Sequence, residues 1–113
     1  MITRHGEQTK EVRERMRGGN GKVVMTQLFN PLPDKLRVFS TLSLMPGDSI
    51  GYHVHENETE LFYFVKGKAR VRDNDETYDM NAGDVLSTTS GNGHSVENVG
   101  DDELVLVAVI VLD

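Results

Sequence analysis

Residues 47–67 of the chain read GDSIGYHVHENETELFYFVKG, and their spacing is the most informative in the sequence. The stretch contains two histidines, His53 and His55, separated by a single residue. In a β-strand, side chains two residues apart point to the same face, so the two imidazoles share one side of this strand. Four polar residues, 56–59, then interrupt the strand. The pattern predicts two strands joined by a polar turn, with paired imidazoles beside that turn.

The strand pattern resumes at Glu60, whose carboxylate side chain has the same strand phase as Phe62 and Phe64. If these phenylalanines point into a core, Glu60 points inward as well, and an unpaired buried charge is costly. The neighbouring histidine pair suggests that its partner is a metal ion. His94, which follows the glycine-rich turn 91–93, is a candidate third imidazole. Nitrogen and oxygen donors of this kind suit Zn, Fe, Mn, Ni or Cu. The alternative is a set of ordinary hydrogen-bonded histidines.

The rest of the chain from residue 22 onward alternates between short apolar runs and turn residues. Glycine, proline, asparagine and aspartate separate the runs at close intervals. Many short strands with frequent turn signals are typical of an all-β sandwich or barrel. The predicted strands are 23–29, 36–45, 49–55, 60–66, 68–73, 76–80, 84–89, 94–99 and 103–112.

The two ends of the chain differ from this pattern. Residues 7–17 have helical spacing, because Val12 and Met16 are four residues apart and a glycine pair follows. A short N-terminal segment over 1–21, helical or irregular, is therefore expected to pack on the barrel or on a partner subunit. The last strand, 103–112, has nine apolar residues out of ten, whereas a strand buried on one face alternates. Its outer face needs a cover, from the N-terminal segment or a second subunit, which favours a homodimer.

Composition narrows the classes of protein. The chain has 113 residues, 12 basic and 18 acidic side chains, a net charge of −6 and no cysteine. One domain over 1–113 is expected at this length, and the lack of cysteine excludes disulfides, thiolate zinc sites and iron–sulfur clusters. The acidic balance argues against a nucleic-acid partner. No apolar run is long enough to span a membrane, and the first residues do not resemble a secretory signal, so a cytoplasmic location is expected.

Two spaced motifs resemble those of the cupin superfamily. The first is glycine, five residues, His-x-His, four residues, glutamate, six residues and glycine, and 47–67 matches it at every fixed position. The second is found in GDVLSTTSGNGHSVEN, residues 83–98, with Thr89 where the family usually has proline. With the flanking strands, the likeness extends over roughly 22–112.

This resemblance implies a fold and a site. The implied fold is an antiparallel jelly-roll barrel, or double-stranded β-helix, over 22–112, with one divalent transition metal per subunit at its mouth (Fe, Mn, Ni, Cu or Zn). A small-molecule ligand or substrate would bind at the open coordination positions. Dimers are common among small one-domain cupins. The implied metal ligands are His53, His55, Glu60 and His94.

Side chains in the same strand phase as the ligands are expected to line the pocket. They are Phe62, Phe64 and Val96, which predicts a partly apolar cavity. No arginine or lysine shares that phase, which disfavours a strongly anionic substrate. Tyr52 and Tyr63 have the opposite phase and are expected on the outer face.

Three functions are compatible with these residues. The intact ligand set favours a metal-dependent enzyme acting on a small organic molecule, by dioxygenase-, isomerase- or decarboxylase-like chemistry, with Glu60 as a catalytic residue that shuttles a proton. The second is a non-catalytic protein that binds or senses a small ligand. The third, a metal-free structural barrel, is the least favoured, and metal analysis of the purified protein would decide it. Fold alone does not choose among them.

Overall fold

Ten β-strands make up most of the computed structural model, which describes residues 1–113. Two single-turn 3-10 helices, His5–Glu7 and Met16–Gly18, lie near the N-terminus, and no helix is long and apolar enough to cross a membrane. The strands are β1 (Thr9–Glu14), β2 (Lys22–Gln27), β3 (Leu36–Leu44), β4 (Ser49–Val54), β5 (Glu58–Lys66), β6 (Lys68–Asp73), β7 (Glu76–Asn81), β8 (Val85–Thr88), β9 (Gly93–Asn98) and β10 (Leu104–Leu112).

The strands form two sheets with a shared core between them. The six-stranded sheet has the order β1-β2-β3-β10-β5-β8, and the four-stranded sheet has the order β4-β9-β6-β7. Every pairing is antiparallel. Strands far apart in the chain, such as β3 and β10, are neighbours because the chain crosses repeatedly between the sheets, as it does in a jelly roll. The predicted all-β jelly-roll fold is confirmed.

The core between the sheets follows from the alternation of side chains along each strand. In β5, Phe62 and Phe64 are buried, whereas Leu61 and Tyr63 point outward and are exposed. Burying each phenylalanine stabilises the fold by about 1.5–3 kcal/mol. The alternation also turns Glu60 inward with the two phenylalanines, as the strand phase predicts.

All nine strands expected from residue 22 onward are present, with ends within two residues of the prediction. The helix expected over 7–17 is wrong, because Thr9–Glu14 is strand β1, paired with β2 at the edge of the six-stranded sheet. Val12 lies opposite Val24 in this pairing. Hydrogen bonds to a neighbouring strand therefore outweigh the weak helical spacing of this segment. Local spacing alone does not reveal such a partner strand.

Residues 15–20, which we call the strap, connect β1 to β2 and lie against β4 of the other sheet. Arg15 and Arg17 in this segment have φ of 48° and 54°, the left-handed region that an α-helix of L-residues does not use. A Cβ at Gly19 would overlap the backbone of β4, and a Cβ at Gly51 would overlap the backbone of the strap. The two glycines therefore let the strap and β4 touch backbone to backbone.

Candidate metal centre

The three histidines predicted as ligands meet at one end of the two sheets. His53 lies in β4 opposite His94 of β9, and His55 follows directly after β4. The Nε2 atom of His94 lies 3.1 Å from Nε2 of His55 and 3.3 Å from Nε2 of His53. The sheet pairing therefore brings together imidazoles from distant parts of the chain.

Glu60 completes this group from β5. Its Oε1 atom lies 2.9 Å from Nε2 of His55 and 3.0 Å from Nε2 of His94. One donor atom from each of the four residues lies within 4.8 Å of the others. Glu60, His55 and His94 are buried, and His53 is half-buried. The four residues are thus positioned to bind a metal ion.

Hydrogen bonds on the outer side fix the orientation of two of the rings. The Nδ1 atom of His53 lies 2.8 Å from the carbonyl oxygen of Gly51, and Nδ1 of His55 lies 2.6 Å from Oε2 of Glu58. A carbonyl and a carboxylate only accept hydrogen bonds, so each Nδ1 carries the hydrogen. The Nε2 lone pairs of both rings consequently point inward, as they do in metal-binding histidines.

The third ring, His94, is held on its outer side and on one face. Its Nδ1 atom lies 2.8 Å from the buried hydroxyl of Thr88, which is able to accept a hydrogen bond. The ring of Phe62 stacks on it at 4.7 Å between centroids, with 15° between the planes. The Thr88 contact suits the same tautomer as in the other two histidines, with Nε2 available for a metal.

This donor set fits a divalent transition metal. In the tautomers just described, three imidazole lone pairs and one carboxylate oxygen face one another at hydrogen-bond distance. Four acceptors facing one another repel unless a proton or a metal cation lies between them. Three nitrogen donors and one oxygen donor are a combination that proteins use for transition metals.

Glu58, which the sequence reasoning missed, links this group to an arginine. Arg37 of β3 donates two hydrogen bonds of 2.9 and 2.8 Å to the Glu58 carboxylate. These bonds are the main reason that the pKa of Glu58 falls to about 2 and that the pKa of Arg37 rises. Glu58 precedes Glu60 by two residues in β5 and shares its phase, a signal that was present in the sequence.

Burial acts on the charge state of His53. Desolvation is the main cause that lowers the pKa of His53, and the nearby charge of Arg17 contributes. The bond from its Nδ1 to the carbonyl of Gly51 opposes this shift. The net effect keeps the imidazole neutral, which is the form that binds a metal.

A cavity of about 140 Å³ is lined by three of the four residues, His53, His55 and Glu60. Most of its wall is apolar, and three arginines, which come from β1, the strap and β3, also line it. The sequence prediction considered only residues in phase along the ligand strands, and it did not include these arginines because they reach the cavity from other parts of the chain. The lining residues are Arg13, Met16, Arg17, Met25, Arg37, Val38, Leu42, Ile50, His53, His55, Glu60, Phe62, Ala108 and Ile110.

The three predicted pocket residues have different places. Phe62 lines the cavity. Phe64 and Val96 do not line it, which corrects the prediction, because both are 1% exposed in the core between the sheets. They share the inward phase of the ligands but lie further along their strands. Tyr52 and Tyr63 point outward, as expected, and are 37% and 49% exposed.

Comparison with known proteins agrees with this geometry. A family model described as the cupin domain matches residues 40–110. The oxalate-binding protein of Thermotoga maritima is 41% identical over 114 residues, which cover 99% of this chain and 94% of that protein. The crystal structure of a predicted oxalate decarboxylase from the same organism has a TM-score of 0.92 and 41% identity, and the match covers 100% of both chains.

A more distant relative is a larger enzyme. Oxalate decarboxylase OxdC of Bacillus subtilis is 32% identical over 94 residues, which cover 79% of this chain. The match covers 24% of OxdC, so this chain corresponds to about a quarter of that enzyme.

Proposed function

We propose that this chain, which belongs to the cupin family, is a metal-dependent binding protein for small dicarboxylate anions of the oxalate class. The observation that carries the proposal is that one small cavity is lined both by metal-donor residues and by three arginines. Such a combination suits a compact anion with oxygen atoms at both ends.

The proposed cofactor is one divalent transition metal per subunit, chosen from Fe, Mn, Ni, Cu and Zn. When bound, such a metal supplies Lewis-acid attraction for carboxylate oxygens. The residues proposed to hold it are His53, His55, Glu60 and His94.

Charge and size both favour a small dianion. With neutral imidazoles, a divalent metal and the Glu60 carboxylate carry a net positive charge, to which the arginines of the wall add. A cavity of roughly 150 Å³ in another protein holds benzene, and oxalate has the same number of non-hydrogen atoms. The cavity of about 140 Å³ is therefore of a suitable size. The 41% identity to an oxalate-binding protein supports the same ligand class.

Binding without turnover is our primary proposal, because the cavity offers few groups for proton transfer. Glu60 is the one carboxylate among the lining residues, and its Oε1 atom contacts two imidazoles. The other titratable lining side chains are histidines of the donor set and arginines, and arginine keeps its proton in proteins.

The second candidate is a decarboxylase, which the likeness to OxdC favours. This reaction would break the carbon–carbon bond of the oxalate monoanion, release carbon dioxide and place the proton on the remaining carbon to give formate. Glu60 would then accept the carboxyl proton of the monoanion and deliver it to that carbon, which is the catalytic role that the sequence predicts for it.

One experiment separates these functions. The full chain is purified, its metal content is measured by elemental analysis, and oxalate is titrated into the metal-loaded protein by calorimetry while formate is followed by NMR. We expect stoichiometric metal and saturable oxalate binding without formate, and we expect His53→Ala to lose both metal and oxalate. Formate production above the level of His53→Ala would establish the decarboxylase. Equal oxalate binding by the wild-type protein and His53→Ala would overturn the proposal.

A homodimer is proposed as the assembly. The outer face of the six-stranded sheet exposes a group of apolar side chains, and a second copy of the chain would cover them. Light scattering at the mass of two chains is the expected result, and a monomer at micromolar concentration would contradict it. These side chains are Leu61, Tyr63, Val65, Val85 and Val111.

A further inference from the structure

The three arginines that line the cavity are not equivalent. Arg37 is held by both oxygens of Glu58, and Arg13 forms an ion pair of 3.1 Å with Glu11. Arg17 has no carboxylate partner among the ion pairs and side-chain hydrogen bonds of the chain. One guanidinium with its hydrogen-bond donors free therefore lies on the wall of the proposed anion site.

We propose that Arg17 recognises the anion in this cavity and determines its preference for dicarboxylates over monocarboxylates. The inference rests on the proposed function, because it concerns an anion bound beside the metal. A guanidinium presents parallel donors that match the two oxygens of a carboxylate. A dicarboxylate bound at the metal centre through one carboxylate still presents its second carboxylate to Arg17, whereas acetate has no second carboxylate.

The backbone holds Arg17 in place. Its φ is 54°, and unfavourable conformations of this kind persist where the surrounding structure enforces them, often at functional sites. The strap is tied to β4 by two hydrogen bonds, in which the Asn20 amide donates to the Ser49 hydroxyl at 2.8 Å and the Ser49 amide donates to the Asn20 carbonyl at 2.9 Å. A recognition side chain on a fixed backbone loses less entropy when it binds its ligand.

Arg15 of the same strap provides a matched control. It also has a left-handed φ, 48°, and it carries the same charge. It lies instead in a separate groove with Glu14, Lys22 and Asp48, which contains none of the metal-donor residues. Replacing Arg15 or Arg17 removes the same charge at a position with left-handed φ, and only Arg17 lines the proposed anion cavity.

The test compares Arg17→Asn with Arg15→Asn in the full chain loaded with Mn²⁺. Asparagine suits both positions because it tolerates the left-handed region better than most residues. Metal content is measured by elemental analysis, and Kd values for oxalate and acetate are measured by calorimetry on desalted protein. We expect Arg17→Asn to weaken oxalate binding by about tenfold or more, the size typical of hydrogen bonds to a charged group. Acetate binding and metal content should stay at the wild-type level, and Arg15→Asn should match the wild-type protein throughout.

The outcomes distinguish the role of Arg17 from the proposed function. Equal oxalate affinity in Arg17→Asn and Arg15→Asn would overturn the role of Arg17 and leave the proposed function standing. Loss of metal, or a parallel loss of oxalate and acetate binding, would also overturn it, since Arg17 would then support the whole site. A wild-type protein that holds Mn²⁺ but binds no oxalate would overturn both proposals. If Arg17→Asn fails to fold, Arg17→Lys keeps the charge without the paired donors and is expected to show the same selective loss.

Discussion

The Oε2 atom of Glu58 lies 2.6 Å from Nδ1 of His55, and Arg37 binds the same carboxylate with two hydrogen bonds. The Glu58 carboxylate thereby links Arg37, which lines the cavity, to His55, one of the four proposed metal ligands. The contact fixes the ring of His55 and makes its Nε2 a better electron donor, as carboxylate partners do for metal-binding histidines. Glu58 is thus a positioning residue for the proposed centre.

Replacing Glu58 by glutamine should weaken metal binding without removing a ligand. Loss of such a partner costs about 10- to 100-fold in metal affinity in other proteins, and here it also leaves Arg37 without its counter-charge. Competition with a chromophoric chelator measures the change. Glu76→Gln, at an exposed position of β7, is the control and should leave affinity unchanged. An affinity in Glu58→Gln equal to that of the control would show that the contact does not support the site.

Removing a ligand should abolish metal binding and leave the sheets folded. We expect Glu60→Ala and His94→Ala to retain only a small fraction of the wild-type metal content, because each loses one of four donors. Glu56→Ala, beside the site but exposed, should retain the wild-type content. Elemental analysis and far-ultraviolet circular dichroism measure the two properties together. Wild-type metal content in either ligand variant would refute the assignment.

Metal removal should lower the thermal stability of the wild-type protein. A ligand at about 100 times its Kd stabilises the folded state by about 2.7 kcal/mol, which corresponds to a shift in Tm on the order of 10 °C for a domain of this size. Scanning calorimetry with and without a chelator measures this shift. His94→Ala, which lacks a metal ligand, should show no shift on chelation. A wild-type Tm that does not respond to the chelator would argue against a bound metal.

Substituting each of the two phenylalanines of β5 should distinguish an effect on stability from an effect on ligand binding. Phe64 is buried in the core away from the cavity, so Phe64→Leu should lower the free energy of unfolding and leave oxalate affinity unchanged. Phe62 lines the cavity and stacks on His94, so Phe62→Leu should change both properties. Urea denaturation and calorimetry give the two values, and each loss of stability should be on the order of 1–2 kcal/mol, as for other modest large-to-small core substitutions. An equal effect of both variants on oxalate affinity would contradict this division.

The sequence predicts the strands and the metal-donor residues better than it predicts the residues that line the cavity. Strand phase is a local property, so reading along the chain was enough to turn Glu60 inward with Phe62. Motif spacing likewise identified His94, although β9 is distant from β4 in the chain. The approach of Arg17 to the cavity depends on which strands pair and on where the strap crosses β4, and neither follows from local spacing. The same limitation explains why β1 was predicted as a helix, since its conformation depends on its partner β2.

The edge position of β1 has a consequence for the exchange of ligand with solvent. All six residues of β1 are exposed, and the strand is paired with β2 alone. Opening this edge costs ladder hydrogen bonds but little apolar burial, so it is among the least stable parts of the fold. The strap that carries Arg17 follows β1 directly. Bound dicarboxylate should therefore slow amide hydrogen exchange in β1 and the strap, because an anion held by Arg17 has to be released before this edge opens freely.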